Sequence, residues 1–158
     1  MSQTTVMITG INGNMLTVEF DGRISQNEVA FAIREDEKLK SEVIRIQGNK
    51  AFLQVFESTK SLKVGDQVEF TGEMLSVELG PGLLGQIYDG LQNPLPQLAE
   101  EAGFFLPRGL IIDALDREKK WEFTPAVKKG DMVRKSQTLG IVPETHFEHA
   151  IMVPFHFE

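Results

Sequence analysis

The chain has 158 residues, enough for one ordinary domain or two small ones. Sixteen Lys and Arg stand against 23 Asp and Glu, and the net charge of −7 excludes a general polyanion binder and a polybasic membrane anchor. Hydrophobic residues at 41% permit a packed core, and the absence of Cys excludes disulfides, thiolate nucleophiles and Cys-based zinc sites.

The longest apolar run, Ala150 to Phe155, is far short of the roughly 20 residues a spanning helix needs. The opening Met1-Ser2-Gln3-Thr4-Thr5 has no basic region followed by an apolar stretch, so no secretory signal is expected.

Short strands and turns dominate the first 72 residues. Thr5 to Thr9 is β-prone, Asn12-Gly13-Asn14 is turn chemistry, and β-character returns in Met15 to Phe20, which together predict a hairpin. Glu28 to Arg34, Leu39 to Gln47 and Ala51 to Phe56 come next as third, fourth and fifth strands, with Gly48-Asn49 as the tight turn between the last two. In the fifth, Ala51, Leu53 and Val55 share one face. A polar connection, Ser58 to Asp66, leads to a sixth strand, Gln67 to Phe70, that ends at Thr71-Gly72. Six strands this short predict a closed or nearly closed antiparallel barrel, because closure hides edges that the strands could not protect.

Residues 73–103 read as a connector with defined turns. Leu75 to Leu79 alternates, and Gly80-Pro81-Gly82, Gly85, Asn93-Pro94 and Pro96 punctuate the rest of the stretch. A short helix is expected from Pro96 to Ala102, with Pro in its first turn and Gly103 as its stop. From Phe104 the β-character returns. Leu110 to Ile112, Trp121 to Phe123, Thr138 to Val142 and Ile151 to Phe155 are strand candidates, with Ile151, Val153 and Phe155 on a shared face, and Lys128-Lys129-Gly130-Asp131 signals a turn. A core of this size is marginal, and the sequence stops within a β-prone run, so this second unit is expected to continue beyond residue 158. The fold class is therefore mainly β: a six-stranded barrel over 1–72, a connector with a short helix over 73–103, and a small partial β-domain over 104–158.

Chemistry is sparse. Gly80-Pro81-Gly82-Leu83-Leu84-Gly85 satisfies a search for phosphate loops, but Pro81 removes a donor and no Gly-Lys-Ser/Thr occurs, so its glycines are read as turn formers. His146, His149 and His156 lie near Glu144, Glu148 and Glu158. Helical, residues 144–149 would put His146 and His149 on one face; extended, on opposite faces; Pro143 and Pro154 disfavour a long helix. Solvated loop histidines are the plainer reading than a metal site. Asp113, Asp116 and Glu118 could supply an acid and a base, but they are interleaved with Arg117, Lys119 and Lys120, the pattern of a solvated face. Trp121 and Phe123 read as core. No catalytic, cofactor-binding or metal residue is assigned.

Several runs carry a resemblance. Lys40 to Asn49, Ala51 to Thr59 and Leu62-Lys63-Val64-Gly65-Asp66 with Phe70-Thr71-Gly72 resemble the N-terminal region of the catalytic A subunit of V-type rotary ATPases. The most specific stretch is Leu75 to Gly85 followed by Ile87 to Leu95. Lys119 to Pro125, Lys129-Gly130-Asp131, Leu139 to Val142 and His149 to Pro154 resemble the insertion that sets this subunit apart from its F-type relatives. The chain departs from the family pattern at Ile11-Asn12-Gly13-Asn14, where Gly-Pro-Val-Val is usual, at Asn93, where many members carry Arg, and at Phe155, where many have a second Pro.

The resemblance implies a parent that couples ATP hydrolysis or synthesis to H+ or Na+ transport, with ATP and Mg bound by residues that this sequence does not contain. It implies an assembly role for the barrel in an alternating hexamer with non-catalytic B subunits, contact with the peripheral stalk through the insertion, and a central rotor stalk in the complex. It places the parent in the cytoplasm, peripheral to the membrane, with no nucleic acid and no membrane insertion. It also implies that Leu75 to Leu95 packs on the nucleotide domain. Two alternatives remain. Val127 to Val142 is similar to half of a biotinyl/lipoyl carrier barrel, although no Met-Lys-Met or Asp-Lys-Ala is present and Ser136 stands at the usual Gly. A small β-barrel binding module or enzyme could use His146 or His149 as a base.

Overall fold

The computed structural model of the chain describes residues 4–103 and 108–157. It divides into two compact units. The first comprises 1–76 and 102–111, the second 77–101 and 112–158.

The first unit is built on six strands, β1 (Thr4–Asn12), β2 (Met15–Glu19), β3 (Glu28–Arg34), β4 (Glu37–Gln47), β5 (Lys50–Val55) and β6 (Gln67–Met74). They close in the order β1-β2-β5-β4-β3-β6, every pairing antiparallel, with β6 returning to β1 through Thr4↔Phe70 to Met7↔Gln67. The expected barrel is thus present and closed. Bulges interrupt the ladders between Ile8 and Gly10, Glu28 and Ala30, and Val43 and Arg45, giving short strands the extra twist that closure demands. The first hairpin has the register Ile11↔Leu16 and Asn12↔Met15, despite its departure from the family pattern.

Period-two alternation places the core. Ala51, Leu53 and Val55 point inward from β5 and are essentially fully buried, joined by Ile8, Leu16, Val18, Leu39, Val43, Val68 and Phe70. Outward, Phe52 lies opposite Arg45, whose guanidinium sits 4.3 Å from the ring centroid. Leu62 stoppers the barrel from the connection between β5 and β6. Thr59 ties that connection down by donating to the Gly13 carbonyl at 2.6 Å, and Asp66 accepts from the Lys63 N–H at 2.7 Å. The predicted Gly48-Asn49 turn forms, with Gly48 at φ 61°, a conformation that costs glycine nothing. The turn between β3 and β4 is equally tight but uses Glu35 at positive φ, so β4 begins two residues earlier than its apolar pattern suggests.

The chain returns to this unit as a strap. Gly109 donates to both carboxylate oxygens of Glu57 at 3.0 and 3.2 Å, and Arg108 bonds Ser61 and pairs with Glu37 at 3.2 Å. Gly109 is at φ 73°, and a Cβ there would meet the Lys38 carbonyl oxygen at 3.0 Å, so only glycine lets the strap lie this close. Leu110 to Ile112, expected as a strand, has no ladder partner: its backbone is held by such side-chain tethers instead.

The second unit contains the expected helix, α1 (Leu95–Ala102), closed by Gly103 at φ 61°. Its sheet is β7 (Thr124–Pro125), β8 (Thr138–Glu144) and β9 (Phe147–Met152) in that order. Two strand expectations are corrected. Trp121 to Phe123 is not a strand; the pairing falls on the next two residues, Thr124↔Ile141 and Pro125↔Gly140. Phe123 instead lays its ring over Gly140, where a Cβ would overlap it. The last strand is Phe147–Met152, not Ile151 to Phe155; Val153 still bonds Gln137 and Ser136, but Pro154 ends the pairing and Phe155 is 76% exposed. Phe104, where the β-rich stretch was expected to begin, lies outside the described residues.

Residues 77–94 fold through turns and side-chain tethers. Asp89 accepts from the N–H groups of Leu91 and Asn93, Gln92 makes a reciprocal pair of 2.7 Å bonds with the Glu78 backbone, and Tyr88 donates to the Ala114 carbonyl at 3.0 Å. Buried Asn93 accepts from the Ile112 N–H at 3.2 Å. Asn93 therefore has a full structural role, bonded to both Asp89 and Ile112. No helix among the described residues is long and apolar enough to cross a membrane.

Candidate functional site

The Gly80–Gly85 turn is the natural starting point, since its backbone donors are what an anion needs. The second unit supplies that anion itself. Gly82 and Leu84 both donate their N–H groups to Glu144 Oε1, at 2.6 and 3.1 Å. The other oxygen, Oε2, lies 2.9 Å from His149 Nδ1. Glu144 is 2% exposed, and His149 is partly buried.

The β8–β9 hairpin explains how these groups meet. Val142 pairs with His149 across the ladder and Glu144 with Phe147, so Glu144 is the diagonal neighbour of His149. The hairpin turn, Thr145-His146, is why neither the helical nor the continuous extended reading of 144–149 applies: the two flanking residues face each other through a reversal. Burial alone would raise the Glu144 pKa; the bonds from Gly82, His149 and Leu84 and the His149 charge outweigh burial and hold it below the ordinary carboxylate value. Tyr88 is pushed up, first by burial and then by the Glu144 charge.

The remaining candidates do not converge. His146 and Glu148 are exposed, and so is His156, whose ring neighbours Phe157. Glu158 lies outside the described residues. Asp116 caps its own turn by accepting from the Glu118 and Lys119 N–H groups, and Arg117 pairs with Glu78. Asp113 and Glu118 are exposed. Trp121 is half-buried beside Gly82 and carries Lys119 on its face at 4.1 Å, whereas Phe123 is 47% exposed. Among the described residues no three His, Asp or Glu side chains are grouped to hold a metal ion. A groove of about 620 Å3 in the first unit is lined by Ser25, Glu28, Gly72, Glu73 and Met74, and the buried Glu28 there is already committed to the Ser25 and Gly72 N–H groups. Ser136, standing where a carrier barrel has Gly, adopts φ 62°.

The Gly80–Gly85 turn does not fit a nucleotide phosphate. The converging N–H donors of the Gly80–Gly85 turn are filled by an internal carboxylate, which would repel phosphate, and Pro81 contributes no donor. Sequence reasoning saw Glu144 only as a member of the histidine group. The signal that could have found it was the glycine turn, which asks for an anion and has no Lys of its own.

A closed six-stranded antiparallel barrel followed by a glycine-rich turn and a small three-stranded sheet defines a mainly β chain. The chain belongs to the ATP synthase alpha/beta family: residues 8–72 match its beta-barrel domain, and residues 112–158 match its alpha/beta subunit barrel-sandwich domain. It is 60% identical over 156 residues to the V-type ATP synthase alpha chain of Treponema denticola, 54% identical over 156 residues to alpha chain 1 of Treponema pallidum, and 53% identical over 149 residues to the alpha chain of Borreliella burgdorferi. These matches cover 94–99% of this chain and 26% of each relative, so the chain spans about a quarter of their length.

Proposed function

We propose that the chain is the N-terminal assembly region of the catalytic A subunit of a V-type rotary ATPase or ATP synthase. The observation that carries this reading is the closed barrel in a chain 60% identical to a V-type ATP synthase alpha chain over nearly its whole length. The parent couples ATP hydrolysis or synthesis to H+ or Na+ movement and binds ATP and Mg through residues outside this chain. The chain itself holds no catalytic, cofactor or metal residue. Its barrel joins those of alternating B subunits in a hexameric crown, the 104–158 region meets the peripheral stalk, and the rotor runs through the parent complex. The head is cytoplasmic and peripheral to the membrane.

Physical support comes from the division of labour. A barrel without free edges resists deformation, which suits a collar that holds a ring while other parts change shape. Val77, Leu79, Leu84, Ile87 and Leu95 are all exposed, 81% at Leu79, as a segment that packs on the nucleotide domain would be. The carrier alternative is not favoured, since residues 112–158 match the ATP synthase barrel-sandwich domain.

The test is a melting experiment with co-purification. The purified chain is expected to show no rise in Tm with millimolar Mg-ATP and to co-purify with the non-catalytic B subunit. A clear Mg-ATP-dependent rise would overturn the reading, because a ligand that binds only the native state must stabilise it. Failure to bind the B subunit would overturn the assembly role.

A further inference from the structure

The Glu144 cluster has no part in the assembly reading. A carboxylate 2% exposed is costly to bury unless every lone pair is used. Here each oxygen has partners, and they come from separate places in the sequence: Gly82 and Leu84 sit 62 and 60 residues upstream, His149 five residues downstream. The turn that Glu144 holds carries Leu84, and Leu79 and Ile87 flank it; all three are exposed apolar side chains. Whatever fixes the turn therefore fixes how those side chains are displayed.

We propose that Glu144 is a charge-dependent latch: ionised, it pins the Gly80–Leu84 turn to the β8–β9 hairpin through the Gly82 and Leu84 N–H groups, with His149 orienting it, and protonated, it lets the turn go.

The geometry requires charge because both backbone donors point at one oxygen. A carboxylate oxygen accepts two such bonds readily; a protonated carboxyl turns one oxygen into a donor and faces the same N–H groups with less charge. The surrounding groups do not substitute for it. The turn, Gly80 to Gly85, brings no ionisable side chain. β9 brings His149, whose bond to Oε2 is charge-assisted when the imidazole is protonated. The 86–94 segment brings Tyr88, neutral below the alkaline range and bonded away to the Ala114 carbonyl. The lowered Glu144 pKa agrees with this, since it means the folded turn favours the ionised form. The latch is closed above the ordinary carboxylate pKa of about 4.3 and opens as pH falls through the lower folded value.

The test uses amide NMR and hydrogen exchange on the 158-residue chain from pH 6.5 down to about 3. In the native chain, the Gly82 and Leu84 amides are expected to titrate together with the Glu144 carboxyl resonance, and their exchange protection, corrected for intrinsic pH dependence, to be lost across that titration. Glu144→Gln keeps the shape and an acceptor and is expected to abolish that titration while leaving protection of Leu53 and Val68 in the barrel unchanged. Because the native titration needs no variant, an unstable Glu144→Gln does not decide the matter alone. The proposal is overturned if the Gly82 and Leu84 amides show no titration before the second unit unfolds as a whole, or if Glu144→Gln shows the same titration as the native chain.

Discussion

The barrel unit and the second unit are each stabilised by different physics. The barrel is organised by an apolar interior that its ladders close around: Leu16, Val18, Leu39, Val43, Leu53 and Val68 show essentially no surface. In the second unit the buried apolar side chains among the described residues are few, Pro94, Leu98, Val142 and Val153, and Asn93 and Glu144 are buried there too. Its loops are fixed by side chains bonded to backbone: Glu144 to Gly82 and Leu84, Asp89 to Leu91 and Asn93, Gln92 to Glu78, Asp131 to Lys128. Apolar burial is non-directional and tolerant of small shifts. A tether is directional, and losing one partner leaves the other buried and unpaired.

The chain's one Trp and one Tyr, Trp121 and Tyr88, both lie in the second unit, so their optical signals follow it alone while far-ultraviolet circular dichroism follows both. The largest expected effect is in the barrel. Leu53→Ala should cost about 2–5 kcal/mol in urea denaturation followed by circular dichroism, from lost transfer energy and the cavity left behind. If Trp121 fluorescence shifts by the same amount, the units unfold as one and the contrast fails.

Next, Glu144→Ala should cost about 1–3 kcal/mol in the Trp121 transition by orphaning the Gly82 and Leu84 donors, with little change in the barrel. The native chain should show the same dependence on pH. The folded Glu144 pKa is lowered, so its stabilisation is present above about pH 4.3 and is lost as pH falls through the folded value. Tyr88 works at the other end. Its folded pKa is raised, so its contribution is full below about pH 10 and is lost as pH rises further; Tyr88→Phe should remove that alkaline loss, read as Trp121 fluorescence against pH.

A smaller effect sharpens the contrast inside the first unit, where the strap is itself a tether. Gly109→Ala should cost about 1–2 kcal/mol, from the strained φ and the approach to Lys38, and should raise proteolytic sensitivity near residues 108–111 before the barrel opens. The smallest is Arg117→Ala. Arg117 is exposed and its partner Glu78 partly so, and the Trp121 transition should move by less than about 0.5 kcal/mol.

The same contrast governs how much was legible from sequence. The barrel strands can be read because each carries its own instruction: alternation in Ala51, Leu53 and Val55 names the inner face, and Gly48-Asn49 names the turn. α1 was readable from Pro96 and Gly103 for the same local reason. The second unit was readable only in part. Trp121 to Phe123 has better strand propensity than Thr124-Pro125, yet the pairing went to the latter, where Gly140 gives Phe123 room to lie across the ladder. Leu110 to Ile112 is apolar but continues a strap set by Glu57 and Gly109. Of the Glu144 site only the local half was readable: the sequence places Glu144 beside His149, but Gly82 and Leu84 lie some sixty residues away and nothing in a local window joins a glycine turn to a distant hairpin.

One property of the barrel's closure bears on how it could be handled. Thr4 sits across from Phe70, and Glu28 from Met74, so the polypeptide enters and leaves the barrel at the same rim. A module whose two ends are neighbours behaves as a cassette: it can be spliced into a host loop, or have its ends joined and new ones cut elsewhere, with a short linker and no rearrangement of the strands.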